Sequence, residues 1–358
     1  MFKIYHRYLI QNFLIKFLNI SFIFFCLTII LGILEEISFF KNLEANVLYP
    51  YFLTMLNAPI TLFEIFPFIF LLSSQFLFYD LFKKNELNLF KVNGLSNFKI
   101  IKILFYLSII MGIFTVGIFY NFASILKFQY TNIKNEFSND NKYLAMVTDS
   151  GLWIKDEINN STLIIKSNYI KGNFLQKTII NEFNSNFELI KTIQSERINI
   201  NEKRWIIYDA NITQNNITNN VEQIVLETNF DQDKINKLFS NISTLNLLEL
   251  FSLKEDYEKL GYSSDEILIH LLKLFSMPLF YGVLTILSAI IMFNVRAKSS
   301  ILFHIILGIL MSVLIYYMNF VFNSLGNNGK IPIFVSIFFP ILFISLISII
   351  GLVRINEK

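Results

Sequence analysis

Few side chains in this sequence have the types and spacing that catalysis or metal binding would need. His6, His270 and His304 lie far apart and lack metal-ligand spacing, which is typical of packing or interfacial residues. The Gly-Asn-Asn-Gly-Lys segment ending at Lys330 lacks the spacing of a phosphate-binding loop and the Ser or Thr that would follow its lysine. No His-Glu-x-x-His or Gly-x-Ser-x-Gly motif is present. The sequence therefore predicts a non-catalytic chain that binds no metal or cofactor itself.

Glu64 is the conspicuous ionisable residue inside an apolar stretch, Ile-Thr-Leu-Phe-Glu-Ile-Phe-Pro-Phe. A charge in the hydrocarbon region is costly, which by default indicates a functional role. The alternative is that Glu64 reaches the headgroup region or pairs locally, because it lies within about two helical turns of the expected membrane boundary. Its position near one end of the span favours this second interpretation.

A short charged stretch, residues 80–99, separates two long apolar runs and cannot lie in a bilayer. Its four lysines outnumber Asp80 and Glu86, so we expect it on the cytoplasmic side. Asn85 is a candidate cap for a short helix that Gly94 would end, and Ser96 would cap the next helix. The apolar residues between them predict an amphipathic helix. From this stretch alone, docking of a partner and contact with lipid headgroups are equally good interpretations.

The composition places the whole chain in a membrane. It has 358 residues, of which 54% are hydrophobic and 40 are Phe. No basic block interleaves with aromatic residues as a nucleic-acid groove would require, and the single cysteine, Cys26, excludes an intrachain disulfide. A helix needs about 20 apolar residues to cross the hydrocarbon core. Six segments meet this demand, at about residues 17–34, 58–79, 100–126, 267–293, 301–321 and 331–353.

The charges between the spans predict their orientation. The loop after the first span contains Glu35, Glu36 and Glu44 and is expected outside, whereas Lys3, Arg7 and Lys16 hold the N-terminus inside. The connection after the fourth span and the C-terminus are both basic and also belong inside; their cations are Arg296, Lys298, Arg354 and Lys358. Both termini are therefore predicted to be cytoplasmic.

Residues 127–244 are too long for an ordinary connection and predict an extracytoplasmic domain. Short β-favouring runs separated by turn-forming patches indicate an all-β sandwich or barrel-like fold. The alternation around Trp205 is not clean enough to say which face of that strand is buried. Residues 245–266 predict an amphipathic helical connector to the fourth span. The runs lie at residues 142–147, 151–156, 162–167, 174–180, 187–193, 197–200, 204–212 and 221–227.

Taken together, these features resemble the lipopolysaccharide-export permease family LptF/LptG. The order of three spans, a large β domain and three more spans matches the family, and the resemblance covers essentially the whole chain. Residues 56–96 resemble the family's second span and coupling helix, with Glu86-Leu87 and Gly94 in the matching places. The Gly-Leu-Trp-Ile-Lys-Asp run at residues 151–156 is similar to the entry of the β domain and is closer to LptG than to LptF. Further matches are Lys273-Leu274-Phe275 with Pro278-Leu279, and Gly329-Lys330-Ile331-Pro332 with Pro340.

The resemblance implies an α+β membrane protein with six transmembrane helices (3+3) and a periplasmic, jelly-roll-like β domain between helices 3 and 4. It also implies a permease subunit, in the bacterial inner membrane, of an ATP-driven ABC transporter that extracts lipopolysaccharide. Its partners would be a cytoplasmic LptB ATPase dimer that binds ATP and Mg, a second permease (LptF), and the β-jelly-roll proteins LptC and LptA.

The resemblance favours partner docking over headgroup contact for the helix near residues 85–94. The residues implied for coupling to the ATPase lie in the charged stretch. They are Asn85, Glu86, Leu87, Phe90 and Gly94. Lys41, near the outer interface, is the candidate cation for the phosphorylated sugar of the lipid.

Two other classes of function stay open at this stage. An ion-coupled secondary transporter or channel would need intramembrane charges along a pathway or broken helices at the midplane, and Glu64 is the one residue that favours it. A membrane-anchored enzyme or sensor would need a convergent polar site in its β domain, and the sequence does not predict one.

Overall fold

The structure, a computed structural model, describes residues 4–41, 46–137, 152–158, 161–215, 217–232, 234–235, 241–259, 263–293 and 301–356. The chain divides into two compact units, Met1–Lys127 with Asp265–Lys358, and Phe128–Ser264. The first is a helical bundle and the second contains an antiparallel sheet. The unit boundaries place the amphipathic connector with the β domain.

Over the described residues, six helices are long and apolar enough to cross a membrane, which confirms the predicted number of spans. The third span is continuous over Asn97–Lys134 and contains one turn of π-helix, Thr115–Tyr120. The helices are α1 (Ile4–Phe40), α2 (Tyr49–Lys83), α3 (Glu86–Val92), α4 (Asn97–Phe114), α5 (Asn121–Glu136), α6 (Leu247–Lys259), α7 (Asp265–Phe293), α8 (Ile301–Asn327) and α9 (Ile333–Asn356).

The second and fourth spans, α2 and α7, form the centre of the bundle. Phe70 of α2 stacks on Tyr281 of α7 with ring centroids 4.3 Å apart. Leu71 packs in one buried cluster with Leu284 and with Ile344 of α9. These two spans have the largest share of buried residues, and the outer helices pack against them.

Small residues let α4 approach α7 closely. A Cβ atom added at Gly112 would lie 2.6 Å from the Cα atom of Pro278, so only glycine fits there. One turn away, the hydroxyls of Ser108 and Thr285 are 2.7 Å apart and fully buried, and Ser74 of α2 donates to Thr285 at 3.3 Å. These hydrogen bonds satisfy hydroxyl groups that would otherwise be costly in an apolar interior.

Replacing Gly112 with alanine is expected to destabilise the bundle by about 1–3 kcal/mol, because the neighbouring atom is backbone and cannot move away. Thermal unfolding in detergent would detect a lower midpoint. Gly117→Ala on the same span is the matched control, since a Cβ atom there meets nothing within 4 Å. Equal midpoints for the two variants would contradict this account of the α4–α7 contact.

The β domain contains one six-stranded antiparallel sheet in the order β1-β2-β3-β4-β5-β6. Each described strand pairs with its sequence neighbours, so this part of the domain is an up-and-down meander without the crossover connections of a jelly roll. The strands are β1 (Leu152–Ile158), β2 (Ser161–Lys171), β3 (Phe174–Phe183), β4 (Leu189–Asn199), β5 (Arg204–Gln214) and β6 (Ile217–Glu227).

Most residues of two predicted runs, 187–193 and 197–200, belong to the single strand β4, Leu189–Asn199. The pairing with β3 continues between them, with Ser195 opposite Thr178. The predicted run at residues 142–147 lies outside the described residues. The α+β fold class, with a β domain inserted between the third and fourth spans, is confirmed.

Two left-handed residues, one in β3 and one in β5, explain the irregular alternation of β5. Lys177 in β3 and Asp209 in β5 have φ values of 51° and 46°, and the strand registers place Glu196 of β4 between them. A residue in this conformation reverses the side on which the following side chains lie. Trp205 and Ile207 are therefore buried before Asp209, and Ala210 is buried beyond it. The alternation of buried residues changes at these positions in β3, β4 and β5 alike, so the pairing between the three strands continues across them.

Candidate functional site

The predicted short helix is α3, and it lies at the end of the bundle that carries Lys83, Lys91 and Lys99, called here the basic end. Gly94 adopts a φ of 78° just after the helix, and the Ser96 side chain accepts from the Lys99 amide, both as predicted. Asn85 occupies the N-cap position, but the expected cap hydrogen bond is absent. Its backbone is left-handed, with a φ of 56°, whereas a capping side chain needs extended backbone at this position.

Glu86 is held by the first span. The Tyr8 hydroxyl on α1 lies 2.8 Å from both oxygens of the Glu86 carboxylate and donates to it. The Tyr8 ring also meets the Phe90 ring edge-on, with centroids 6.3 Å apart. Two turns further along α1, Lys16 forms an ion pair with Asp80 at the end of α2 at 2.5 Å. The first span is thus attached to both sides of the turn that leads into α3.

The three faces of α3 have different surroundings. Glu86 and Phe90 face α1, while Leu87 is buried against the bundle. Leu89 and Val92 are exposed by 60% and 87%. An exposed apolar surface on a short helix at a membrane boundary is suited to docking in a groove of a partner. The sequence predicts an apolar surface on this helix made of Leu87, Leu89, Phe90 and Val92. Of these, only Leu87 and Phe90 are among the predicted coupling residues, because the spacing within seven residues does not show which face the bundle covers.

A cavity of 810 Å³ lies between α2, α7, α8 and α9, towards the end of the bundle opposite α3. It contains both polar and apolar side chains and is large enough for part of a lipid. The apolar lining comes from Ile65, Pro67, Phe68, Met277, Phe280, Leu284, Val313, Ile315, Phe320, Ile337 and Ile341, and polar side chains are added by Thr61, Glu64, Lys273, Ser276, Ser312, Tyr316, Asn319, Asn323, Ser324, Asn327 and Asn328.

Glu64 lines this cavity together with Lys273 of α7. Both residues are exposed, and over the described part of the chain neither has an ion-pair partner within 4 Å. Three asparagines of α8, Asn319, Asn323 and Asn327, add amide groups at a spacing of four residues, which places them on one helix face. The same spacing is visible in the sequence and indicates a polar stripe inside a span, although these asparagines are not among the predicted site residues.

Lys41 is exposed in the turn after α1 and lines neither of the cavities described in this structure. The sequence-predicted residues therefore separate into three places: α3, the cavity and the turn after α1. Over the described residues no three His, Cys, Asp or Glu side chains are grouped to hold a metal ion.

Compared with models of known protein families, residues 7–354 match the family described as "Lipopolysaccharide export system permease LptF/LptG". The chain belongs to the LptF/LptG family. The match includes all six spans and the sheet, so the family resemblance seen in the sequence is confirmed over nearly the whole chain. A search of curated proteins finds no match.

Membership in the LptF/LptG family makes the chain a multi-pass inner-membrane permease component of lipopolysaccharide export. It is a permease subunit rather than a catalytic chain, and it works with other components of that export system.

Proposed function

We propose that this chain is a transmembrane subunit, of the LptG type, in an ATP-driven transporter that extracts lipopolysaccharide from the inner membrane. The observation that carries the proposal is the family match over residues 7–354. In this proposal an LptB ATPase dimer binds ATP and Mg and docks on α3, LptF is the second permease, and LptC and LptA receive the lipid from the β domain. Both termini are cytoplasmic and the β domain is periplasmic.

The geometry of α3 supports the docking step. Its exposed residues, Leu89 and Val92, lie beside a carboxylate that Tyr8 orients. A partner groove that buries the two apolar side chains would bring a basic residue close to Glu86, and both contacts are of the kind that stabilise helix-in-groove interfaces.

The lining of the 810 Å³ cavity supports lipopolysaccharide as the substrate. Its apolar residues, such as Leu284 and Ile341, line one part, and Lys273 with the α8 asparagines lines another. A lipid with several acyl chains and a phosphorylated sugar requires both kinds of surface. The acyl chains are stable against apolar side chains, and the phosphorylated sugar needs polar or charged groups to replace its contacts with water. Lys273 is the cation of this cavity, and Glu64 is placed to bind hydroxyl groups of the sugar.

Purification of the full chain in mild detergent, with identification of the proteins that accompany it, tests the proposal directly. We expect an ATPase dimer, a second six-span chain and ATPase activity that depends on the complex. Recovery of the chain alone, with coupled uptake of an ion in vesicles, would favour an ion-coupled transporter instead.

Lys41 is the proposed outer contact for the phosphorylated sugar, since its side chain is exposed in the turn after α1. Lys41→Glu is expected to lower lipid-stimulated ATPase activity several-fold through charge repulsion, while the complex still assembles. Lys41→Arg should retain the activity. Normal export by the Lys41→Glu variant would remove this residue from the lipid path.

A further inference from the structure

A second cavity, of 470 Å³, lies at the basic end of the bundle beside α3. It is formed where α2, α7 and α9 end, since Phe82, Phe293 and Arg354 all lie within three residues of their helix ends. Its floor is apolar, with Ile290, Ile347 and other side chains of α7 and α9. The position at the ends of three spanning helices is the level of the lipid headgroups.

The rim of this cavity is polar and positively charged. Lys91 of α3 and Arg354 of α9 line it, and among its described lining residues there is no carboxylate. Neither cation has an ion-pair partner within 4 Å in the described part of the chain. The two described carboxylates of the neighbouring stretch are engaged elsewhere, Asp80 by Lys16 and Glu86 by Tyr8.

Amide groups complete the rim. Asn85, Asn88 and Asn97 line the same cavity. Asn88 is exposed, so its Nδ2 group can donate hydrogen bonds to an anionic ligand in the cavity.

We propose that this cavity binds an anionic phospholipid of the leaflet at the basic end. The phosphate contacts Lys91 and Arg354, the Asn88 amide donates to the headgroup, and the start of an acyl chain lies on the isoleucine floor. Arginine and lysine at a membrane boundary are suited to phosphate groups. The apolar floor favours a lipid over a free phosphate, which would leave that surface exposed to water.

The lipid site and the proposed docking surface use different faces of α3. Asn88 and Lys91 line the cavity, as do Asn85 and Leu87 from the predicted coupling residues, whereas the exposed Leu89 and Val92 do not. A bound lipid would connect α3 to α9 and leave the exposed face available. The inference depends on the membrane location of the bundle and not on the export cycle or on any ATPase.

The test uses the full chain purified in detergent and incubated with mixed micelles of phosphatidylglycerol or of phosphatidylcholine. Bound lipid is counted by native mass spectrometry after stringent washing. We expect Lys91→Gln with Arg354→Gln to weaken phosphatidylglycerol binding by roughly thirtyfold and to leave the weak phosphatidylcholine binding unchanged. The control is Lys83→Gln with Lys99→Gln, which removes the same charge from the same end but does not alter the cavity lining.

Two further arms make the outcome decisive. Ile347→Trp fills the floor, keeps both charges and is expected to lower phosphatidylglycerol binding as well. Inorganic phosphate is added at increasing concentration to the unaltered protein. Equal phosphatidylglycerol binding by the double variant and its control would overturn the proposal, as would displacement of the lipid by millimolar-range inorganic phosphate.

Discussion

Replacing Glu86 with alanine is expected to weaken copurification of the ATPase by about tenfold or more and to uncouple ATP hydrolysis from lipid export. A hydrogen bond to a charged group contributes about 1.5–3 kcal/mol, and the carboxylate of Glu86 is held in place by the Tyr8 hydroxyl. Copurification and lipid-stimulated ATPase activity are the two measurements.

The Tyr8→Phe variant tests whether the orientation of the Glu86 carboxylate matters in addition to its charge. It keeps the Glu86 carboxylate and the ring contact with Phe90, but removes the donor, so an intermediate loss of coupling is expected. Glu222→Ala, which removes an exposed carboxylate from the β domain, is the control for charge alone and should leave ATPase docking unchanged. Full copurification and normal coupling in Glu86→Ala would exclude Glu86 from the docking surface.

Filling the 810 Å³ cavity is expected to have the second large effect. Ser312 of α8 is a small, buried residue on its lining, and Ser312→Trp would place an indole ring in the space proposed for the lipid. We expect most of the lipid-stimulated ATPase activity to be lost while the basal activity is kept. Lipid crosslinking or bound-lipid analysis of the purified complex would show the loss of occupancy directly.

Ile110→Trp is the matched control, because Ile110 on α4 is 63% exposed and its side chain does not line the cavity. Thermal unfolding of both variants distinguishes a filled cavity from a damaged bundle. Unchanged lipid occupancy and stimulation in a well-folded Ser312→Trp protein would rule out this cavity as the substrate site.

The sequence predicted α3 well because its signals are local. Lysines on the turn, a glycine after the helix and a serine before the next span lie within twenty residues of one another, and α3 covers Glu86–Val92 inside the predicted 85–94. The Tyr8–Glu86 contact was not predictable in the same way, since it joins residues 78 positions apart and depends on how α1 packs on α2. Asn85 shows the limit even for local signals, because its left-handed backbone prevents the expected cap.

Glu64 was interpreted from its depth in the span alone, which favoured contact with headgroups. The structure adds that Glu64 shares a cavity with Lys273, more than 200 residues away in sequence. The hydrophobic periodicity of a sequence predicts which segments are helices. It does not predict which faces of four helices meet around a cavity.

The buried face of β5 was not predictable from the sequence, because the alternation of buried residues changes at the left-handed Asp209. A single sequence does not indicate that conformation clearly for a residue other than glycine.

The contacts of α1 with α2 continue to the end of the bundle opposite α3. At the basic end Tyr8 and Lys16 hold α1 to Glu86 and Asp80. At the other end a Cβ atom added at Gly32 would lie 2.7 Å from the Thr54 side chain, and the Phe40 ring stacks on Tyr49 with centroids 6.2 Å apart. A helix of 37 residues is about 55 Å long, so α1 joins the turn before α3 to the turn that contains Lys41 across the full thickness of the bilayer. A movement of α3 would therefore reach the opposite interface through α1 and α2 moving as one unit.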